Sequence, residues 1–291
     1  MSTTGVRREE RRRITTLSLD ERVRIESRAW DAVARRRRSA GALRLDHPAP
    51  DTPIPPEYRA SFPDPRPFWV GRSSARFWEY QHLAPLAGKT VLQLGGSGRH
   101  AVRFLLAGAA RAVCVDPSEE TLRLGADVAA RYGVSGRLTF VRGIAERLPF
   151  PADTFDAVYG GSVLHHTLLG ESGPEIHRVL KPGGRASFHD PLEGYALARL
   201  ARTYLPYPGK GDEGVDYPLS YAAVRDFARR FRRSEWREFE LFGVPVKLLL
   251  RLHRRLFDRV NQALHPLDDA LVRRCPPLRR FCKGVSIRVE K

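Results

Sequence analysis

The stretch that decides the fold is KTVLQLGGSGRHAVRFLLAGAARAVCVDP, residues 89–117. An apolar strand is predicted at 90–94 and a helix at 101–107, with a glycine turn between them. The turn consists of Gly95, Gly96, Ser97 and Gly98. A second apolar strand, 112–115, leads to Asp116 and Pro117. Glycines let a ligand approach the backbone closely, and the start of a helix presents free N–H groups, so the pattern indicates a nucleotide-binding βαβ unit.

Further strands follow at intervals that leave room for helices between them. They are predicted at 138–142, 155–160, 184–189, 235–241 and 284–290, and a helix is predicted at 219–231. Strands that alternate with helices form a parallel sheet covered on both faces. The sequence therefore predicts an α/β fold with a doubly wound, mostly parallel sheet of seven strands.

Three motifs after the first βαβ unit occur in a recognisable order. LPF stands at 148–150, Phe155-Asp156 follows, and LKPGG occupies 180–184. Together with the glycine turn, this set resembles the class I S-adenosylmethionine (SAM)-dependent methyltransferases over about residues 85–191. The resemblance implies a Rossmann-like methyltransferase fold, SAM as cofactor and methyl transfer as activity. A dinucleotide-binding domain explains the first βαβ unit equally well, but it predicts neither LPF nor LKPGG.

The resemblance also implies which residues hold SAM. The glycine turn would hold the methionine part, Asp116 with Pro117 the ribose, and Gly160 would lie beside the methionine carboxylate. The adenine would be flanked by Ile144 and Ala145, with Glu146 close by. An alternative role for Asp116 is to cap the helix that starts at Ser118.

The chain departs from the family pattern at three points. The turn GGSGRH, residues 95–100, is one residue shorter than usual, and Gln93 stands where the family has an acid before the turn. Ile144 stands where an acid usually accepts from the adenine amino group, although Glu146 lies two positions further on.

Methyl transfer from a sulfonium needs an aligned acceptor and, for a hydroxyl or an acidic carbon, a base. His165, His166, His189 and Asp190 follow the fourth and fifth strands, where ligands bind in this type of sheet. We expect His166 and Asp190 to be the catalytic candidates. Packing is the alternative role for these side chains, and the reaction can also proceed without a base. No metal-ligand cluster occurs in the sequence, so no metal is expected.

Composition divides the chain into two parts. Residues 1–67 are predicted to be a basic helical arm, 1–43, followed by a linker with eight prolines at 46–67. Residues 68–291 are predicted to be the methyltransferase domain, with surplus segments at about 191–217 and 243–282 that would cap a substrate. The aromatic-rich stretch 68–86 is expected to form a helix over the SAM pocket.

The positive charge lies at the two ends of the chain. Residues 1–43 hold 12 arginines and six acids, a net charge of +6, whereas residues 224–291 carry 18 basic and eight acidic side chains, a net charge of +10. The core of 180 residues between them has a net charge of only +1. Contact with a membrane surface through a basic amphipathic helix at 249–264 stays open, and nucleic acid is the less favoured partner. The arm lacks a core of its own, so we expect a second subunit to cover it in a homo-oligomer.

The predicted function is SAM-dependent methylation of a hydrophobic small molecule on oxygen, carbon or nitrogen, because both cap segments are rich in apolar and aromatic residues. Two alternatives stay open. One is a SAM-binding fold that catalyses another reaction, such as a cyclisation. The other is a module that binds nucleic acid or an anionic membrane. The charged N-terminal sequence has no apolar signal-peptide core, which predicts a cytoplasmic protein.

Overall fold

A computed structural model describes residues 18–41, 43, 45, 74–193, 218–242, 260, 264 and 267–291. They form one mixed sheet with helices on both faces. The strands are β1 (Thr90–Leu94), β2 (Arg111–Asp116), β3 (Leu138–Arg142), β4 (Phe155–Gly161), β5 (Leu180–Pro191), β6 (Arg233–Phe239) and β7 (Gly284–Glu290). The helices are α1 (Leu19–Ser39), α2 (Ser74–Leu83), α3 (Arg99–Leu106), α4 (Glu119–Arg131), α5 (Leu169–Val179) and α6 (Tyr221–Ala228).

The strand order in the sheet is β3-β2-β1-β4-β5-β7-β6. The first five strands pair in parallel, and β7 lies antiparallel between β5 and β6. From β1 the strand order runs to β2 and β3 on one side and to β4 and β5 on the other, so it reverses between β1 and β4. Ligands bind at such a reversal in open α/β sheets. The predicted fold class, a seven-stranded and mostly parallel α/β sheet, is confirmed.

The central strands are apolar because both of their faces are covered. Along β1, Val91 packs into a core cluster on one face of the sheet, and Leu92 and Leu94 pack into the cluster on the other face. All three side chains are almost completely buried. This two-sided burial explains why the sequence shows continuous apolar runs here and not an alternation of apolar and polar residues.

Strand β5 begins earlier than the predicted 184–189. Leu180 already pairs with Phe155, and the next regular pair is Ala157 with Arg185, so a single residue of β4 lies opposite four residues of β5. Gly183 has a φ of +72° within this irregularity. The LKPGG motif follows α5 directly, as expected for a helix terminator, but its residues form the irregular first part of the strand.

The helical arm packs on its own domain. Helix α1 starts with a capping box, in which Ser18 N donates to Glu21 Oε2 at 2.9 Å and Glu21 N donates to Ser18 Oγ at 3.3 Å. Helix α1 lies against α4, where Arg38 and Asp127 form an ion pair at 2.6 Å. The described part of the arm thus packs against its own domain. The oligomeric state itself stays a prediction.

Several predicted segments lie outside the described residues. They are the arm before residue 18, the proline-rich linker 46–67, most of the cap at 191–217, and 243–259 of the second cap. Of the amphipathic helix expected at 249–264, Val260 and Leu264 are described, and both are helical. Residues 267–274 are helical and precede a 3-10 helix, Pro276–Phe281. Across the described part of the chain, no helix has the length and apolar character needed to cross a membrane.

Candidate functional site

A cavity of about 270 Å³ lies at the carboxyl ends of β1, β2 and β4. Its walls come from the glycine turn, the end of β2, the loops after β3 and β4, and helix α1. Small-molecule sites typically have volumes of roughly 300–1,000 Å³. The cavity is therefore close to the lower end of that range and lies at the predicted position.

The glycine turn has a backbone that other residues rarely adopt. Gly95 and Gly98 have φ values of +71° and +68°. A Cβ atom on Gly95 would lie 3.0 Å from Val163 Cγ2, and one on Gly98 would lie 2.9 Å from the Phe140 ring. The turn needs glycine for both conformation and space.

Gln93 holds this turn in place. Its Nε2 donates to the Gly95 carbonyl at 2.7 Å, and its Oε1 accepts from Ala101 N at 2.8 Å. An ionised carboxylate could make only the second bond, because it has no hydrogen to donate. The replacement of the usual acid by Gln93 therefore fits the local structure, in which one amide group joins both ends of the turn.

Asp116 lies at the bottom of the cavity and is only 6% exposed. Its Oδ2 accepts from Gly96 N at 2.6 Å, and its Oδ1 accepts from Ser118 N at 2.8 Å. Burial raises the pKa of Asp116 to about 7 against the effect of these two amides, and the nearby Glu26 and Asp31 carboxylates raise the pKa further.

The alternative role for Asp116, as the cap of the following helix, belongs to another residue. The N-cap of α4 is Ser118, whose Oγ accepts from Thr121 N at 3.1 Å. Asp116 bonds the Ser118 amide at the entrance to that helix, but its carboxylate also reaches the glycine turn and lines the cavity.

The side of the cavity expected to hold adenine is formed by Ile144 and Ala145, with Glu146 beside them. Pro117, expected near the ribose, also lines the cavity. Glu146 Oε1 accepts from Leu168 N at 2.8 Å, at the N-cap of α5. Burial raises the pKa of Glu146. Its carboxylate therefore supports the loop after β4 as well as facing the cavity.

Three of the predicted cofactor residues lie outside the cavity wall formed by described residues, namely Ser97, Gly98 and Gly160. Beside Gly160, the next residue, Gly161, lines the cavity. A Cβ on Gly160 would lie 2.5 Å from Val163 and 2.7 Å from Phe188. Gly160 is thus closely surrounded by these two side chains, and its role beside the methionine carboxylate stays a prediction.

The two catalytic candidates occupy different surroundings. His166 lines the cavity, and its Nδ1 lies 2.8 Å from Glu26 Oε1 of helix α1. Asp190 is completely buried, and its Oδ1 lies 2.6 Å from His165 Nδ1. Neither Asp190 nor His165 lines the cavity. The His165 ring lies beside the His166 ring, with centroids 4.0 Å apart, so Asp190 is linked to the cavity wall through both histidines.

A second buried polar cluster surrounds Glu79 of α2, which is 1% exposed. Its carboxylate accepts from the Tyr159 hydroxyl at 2.9 Å and from Ser286 Oγ at 2.5 Å, and it lies 3.0 Å from His189 Nδ1. Burial opposes the protonation of His189, but the Glu79 carboxylate outweighs it and raises the pKa of His189. The cluster borders the cavity at Gly161, where a Cβ would lie 3.4 Å from the Tyr159 hydroxyl.

Glu79 was not identified from the sequence, and a helix in 68–86 was expected to cover the cavity. The described part of the aromatic-rich stretch, α2, packs on β5 and β7, and none of its residues lines the cavity. A single acid inside the segment SARFWEYQHL was the available sign of a buried polar contact. Helix α1 covers the cavity in its place.

Among the residues described, no three or more His, Cys, Asp and Glu side chains cluster in a way that could hold a metal ion.

Comparison with known proteins shows what the central part of the chain is similar to. Residues 92–188 match the family described as "Methyltransferase domain". The chain is 38% identical over 103 residues to the ubiquinone/menaquinone biosynthesis C-methyltransferase UbiE of Marinomonas sp. (strain MWYL1), covering 34% of this chain and 41% of that protein. It is 35% identical over 134 residues to the ribosomal protein L11 methyltransferase of Sorangium cellulosum (strain So ce56), covering 44% and 39%.

The matched region thus spans about two fifths of the length of these two relatives. Among solved structures, the [4+2]-cyclase SpnF is similar with a TM-score of 0.54 and 21% identity, covering 76% of this chain and 82% of that one. At this identity the likeness concerns the fold alone.

Proposed function

Since residues 92–188 are a class I SAM-dependent methyltransferase domain, we propose that this protein binds SAM in the cavity and transfers its methyl group to a hydrophobic small molecule. The observation that carries the proposal is the buried Asp116 carboxylate, which is bonded to the glycine turn at the point where the strand order reverses. A carboxylate at that point is suited to accept hydrogen bonds from the two hydroxyls of a ribose.

The residues present fit the cofactor. The left-handed glycine turn leaves no side chain between the backbone and a ligand, and each oxygen of Asp116 keeps a second lone pair beyond its amide bond. Ile144 and Ala145 offer an apolar surface to the adenine ring, and Glu146 faces the same space. Gly95, Gly96 and Gly161 would contain the methionine half.

SAM supplies the reactive methyl group on its sulfonium. The chain's own residues position and enclose it: Asp116 fixes the ribose, the glycine turn fixes the direction of the methionine half, and the cavity walls exclude water. Orientation of this kind is the main contribution that a protein makes to an in-line displacement.

His166 and Asp190 stay our candidates for moving the acceptor's proton, in two different ways. His166 lies in the cavity wall and can exchange a proton with a group bound there. Asp190 holds His165 Nδ1, so it would orient that imidazole and, through it, the His166 ring beside it. An acceptor that is already nucleophilic would need neither.

The acceptor is proposed to lie beside the carboxyl ends of β4 and β5, next to the segments expected to form a cap. The support is the apolar and aromatic composition of 191–217 and 243–282. One of the two relatives is named for ubiquinone and menaquinone biosynthesis and the other for a ribosomal protein, so their names do not single out one class of acceptor.

The test is incubation with SAM carrying a deuterated methyl group and a panel of apolar phenols, quinols and amines, read by mass spectrometry. We expect a labelled product together with an equivalent amount of S-adenosylhomocysteine (SAH). Product without label or SAH would instead favour the alternative of a cyclisation. Binding of SAM without any product from apolar acceptors, combined with methylation of a polar or macromolecular one, would contradict the proposed acceptor class.

A further inference from the structure

Helix α1, which belongs to the basic arm, forms one wall of the cofactor cavity. Its contributing side chains are Leu19, Arg22, Val23, Glu26, Trp30 and Arg37. These positions recur at intervals of three, four and seven residues, so they share one face of the helix. The opposite face carries exposed residues such as Arg24 and Arg28.

Contacts on both sides of the cavity fix this helix. Near its start, Arg22 donates to the His166 carbonyl at 3.4 Å and Glu26 Oε1 lies 2.8 Å from His166 Nδ1, both in the loop after β4. Further along, Ser27 Oγ donates to the Pro117 carbonyl at 3.0 Å, and Asp31 Oδ1 accepts from Ser118 Oγ at 2.6 Å. Helix α1 therefore bridges the ends of β4 and β2, directly above β1.

Two side chains on the cavity face of α1 present groups that can contact a ligand. Glu26 uses Oε1 for His166, and within the described part of the chain its Oε2 has no hydrogen-bond partner. Trp30 is 38% exposed although its ring lines the cavity, and it lies edge-on to the His166 ring at 6.1 Å. A carboxylate oxygen and an indole face are the groups that bind a hydroxyl or amino donor and an aromatic base.

The loop after β3 lacks an acid at the position where one is expected, because Ile144 stands there. Glu26 of helix α1 lines the same cavity and is close enough to Asp116 to raise its pKa. The helix thus adds a second carboxylate to the cavity wall besides Glu146 of the loop.

We propose that α1 is part of the cofactor site, in which Glu26 accepts a hydrogen bond from the nucleoside half of the ligand and Trp30 covers that half. This inference rests on the proposed function, since it assumes that the cavity holds SAM. It assigns the basic arm a role in binding, beyond its packing on the domain.

Calorimetric titration with SAH and with adenosine tests the assignment. Glu26→Ala and Trp30→Ala should each weaken both ligands by a similar factor, roughly ten-fold or more. A hydrogen bond to a charged group contributes about a decade or more in affinity, and stacking of a base on an aromatic ring contributes a comparable amount. Asp20→Ala and Arg28→Ala change the exposed face of the same helix and should leave both affinities within about two-fold. Circular dichroism of each variant checks that the fold is kept, and Glu26→Gln serves if the alanine variant does not fold.

Protection from trypsin gives a second measurement that does not depend on affinity. Helix α1 contains the run Arg35–Arg38, so cleavage there reports whether the helix is docked. Saturating SAH should slow this cleavage several-fold in the wild-type protein and less in Glu26→Ala.

The outcomes separate this inference from the proposed function. Suppose that the wild-type protein binds SAH and that the Glu26 and Trp30 variants bind it equally well. In that case α1 does not hold the nucleoside, and only this inference fails. The same follows if the variants lose affinity for SAH but keep their affinity for adenosine. If the wild-type protein binds neither SAH nor SAM, the proposed function fails as well.

Discussion

Asp116 combines burial, hydrogen bonding and charge in one side chain. Its pKa is raised to about 7 in the folded protein, whereas an aspartate in an unfolded chain has a pKa of about 3.9. The folded state therefore binds this proton more tightly than the unfolded state. The stability associated with protonated Asp116 is fully present below pH of about 4 and is lost as the pH rises to about 7.

Asp116→Asn should remove this pH dependence. We expect the difference in unfolding free energy between wild type and variant to change by a few kcal/mol between pH of about 4 and about 8, with the wild type losing relative stability as the pH rises. Urea denaturation at both pH values measures the difference. Asp226→Asn, at an exposed position on α6, is the control and should show no such change. A difference independent of pH for Asp116→Asn would show that its carboxylate titrates normally.

Glu79 is the residue whose loss we expect to cost the most stability. Its removal leaves the Tyr159 and Ser286 hydroxyls and the His189 ring without their buried partner. Glu79→Ala should destabilise the protein by about 3–5 kcal/mol in urea denaturation. Glu119→Ala, which breaks an exposed ion pair with Arg123, should change stability by less than about 1 kcal/mol. Similar small effects for both variants would mean that the Glu79 cluster is not formed.

Sequence patterns predicted the cavity residues whose role follows from the local backbone. They did not predict the residues whose role depends on contact with a residue far away in the sequence. Gly95 and Asp116 belong to a local strand–turn–helix unit, so their positions followed from neighbouring residues. Glu26 and His166 are 140 positions apart in the sequence. No local periodicity indicates that two such residues meet, and the same is true of Glu79 and Ser286.

At the scale of single elements, α4 shows how the glycine turn constrains its surroundings. Gly125 lies inside this helix, where alanine would ordinarily stabilise by up to about 1 kcal/mol. A Cβ at Gly125, however, would lie 2.5 Å from the Phe140 ring and 2.6 Å from the Ser97 carbonyl oxygen. The helix must therefore approach the turn as closely as only glycine allows.

Gly125→Ala should consequently destabilise the protein by about 1–3 kcal/mol and weaken cofactor binding, since Ser97 would have to move. Gly170→Ala is the matched control, because Gly170 is also helical and a Cβ there meets nothing within 4 Å. It should be neutral or slightly stabilising in thermal denaturation. A stabilising effect at both positions would contradict the close contact between α4 and the turn.

Element boundaries were predictable where apolar runs end in turn residues, and less so where the chain is irregular. Strands β1 and β3 have the bounds that the sequence indicated, because each is a continuous run between turns. The start of β5 was predicted too late, since Leu180 pairs with β4 before the irregular Gly183 region. The function of α2 was also misjudged, because its aromatic residues suit packing on the sheet as well as contact with a ligand.

At the scale of the whole molecule, the structure shows where part of the positive charge at the N-terminal end of the sequence lies. The basic arm is not detached from the neutral core, because α1 spans from the loop after β4 to α4 and forms one wall of the cavity.

Contact of the basic C-terminal region with a membrane surface stays a prediction, as does the oligomeric state. Liposome co-sedimentation at two salt concentrations would test the former, with binding expected to weaken at the higher salt.

The most direct test of the central claim is calorimetric titration of SAH into the wild-type protein and Asp116→Ala. We expect the wild-type protein to bind one SAH per chain and Asp116→Ala to bind it roughly ten- to a hundred-fold more weakly, because charge-assisted hydrogen bonds to the ribose are lost. No heat of binding to the wild-type protein at millimolar SAH would contradict a cofactor site in the cavity. Equal affinity of a folded Asp116→Ala protein would contradict the role assigned to Asp116.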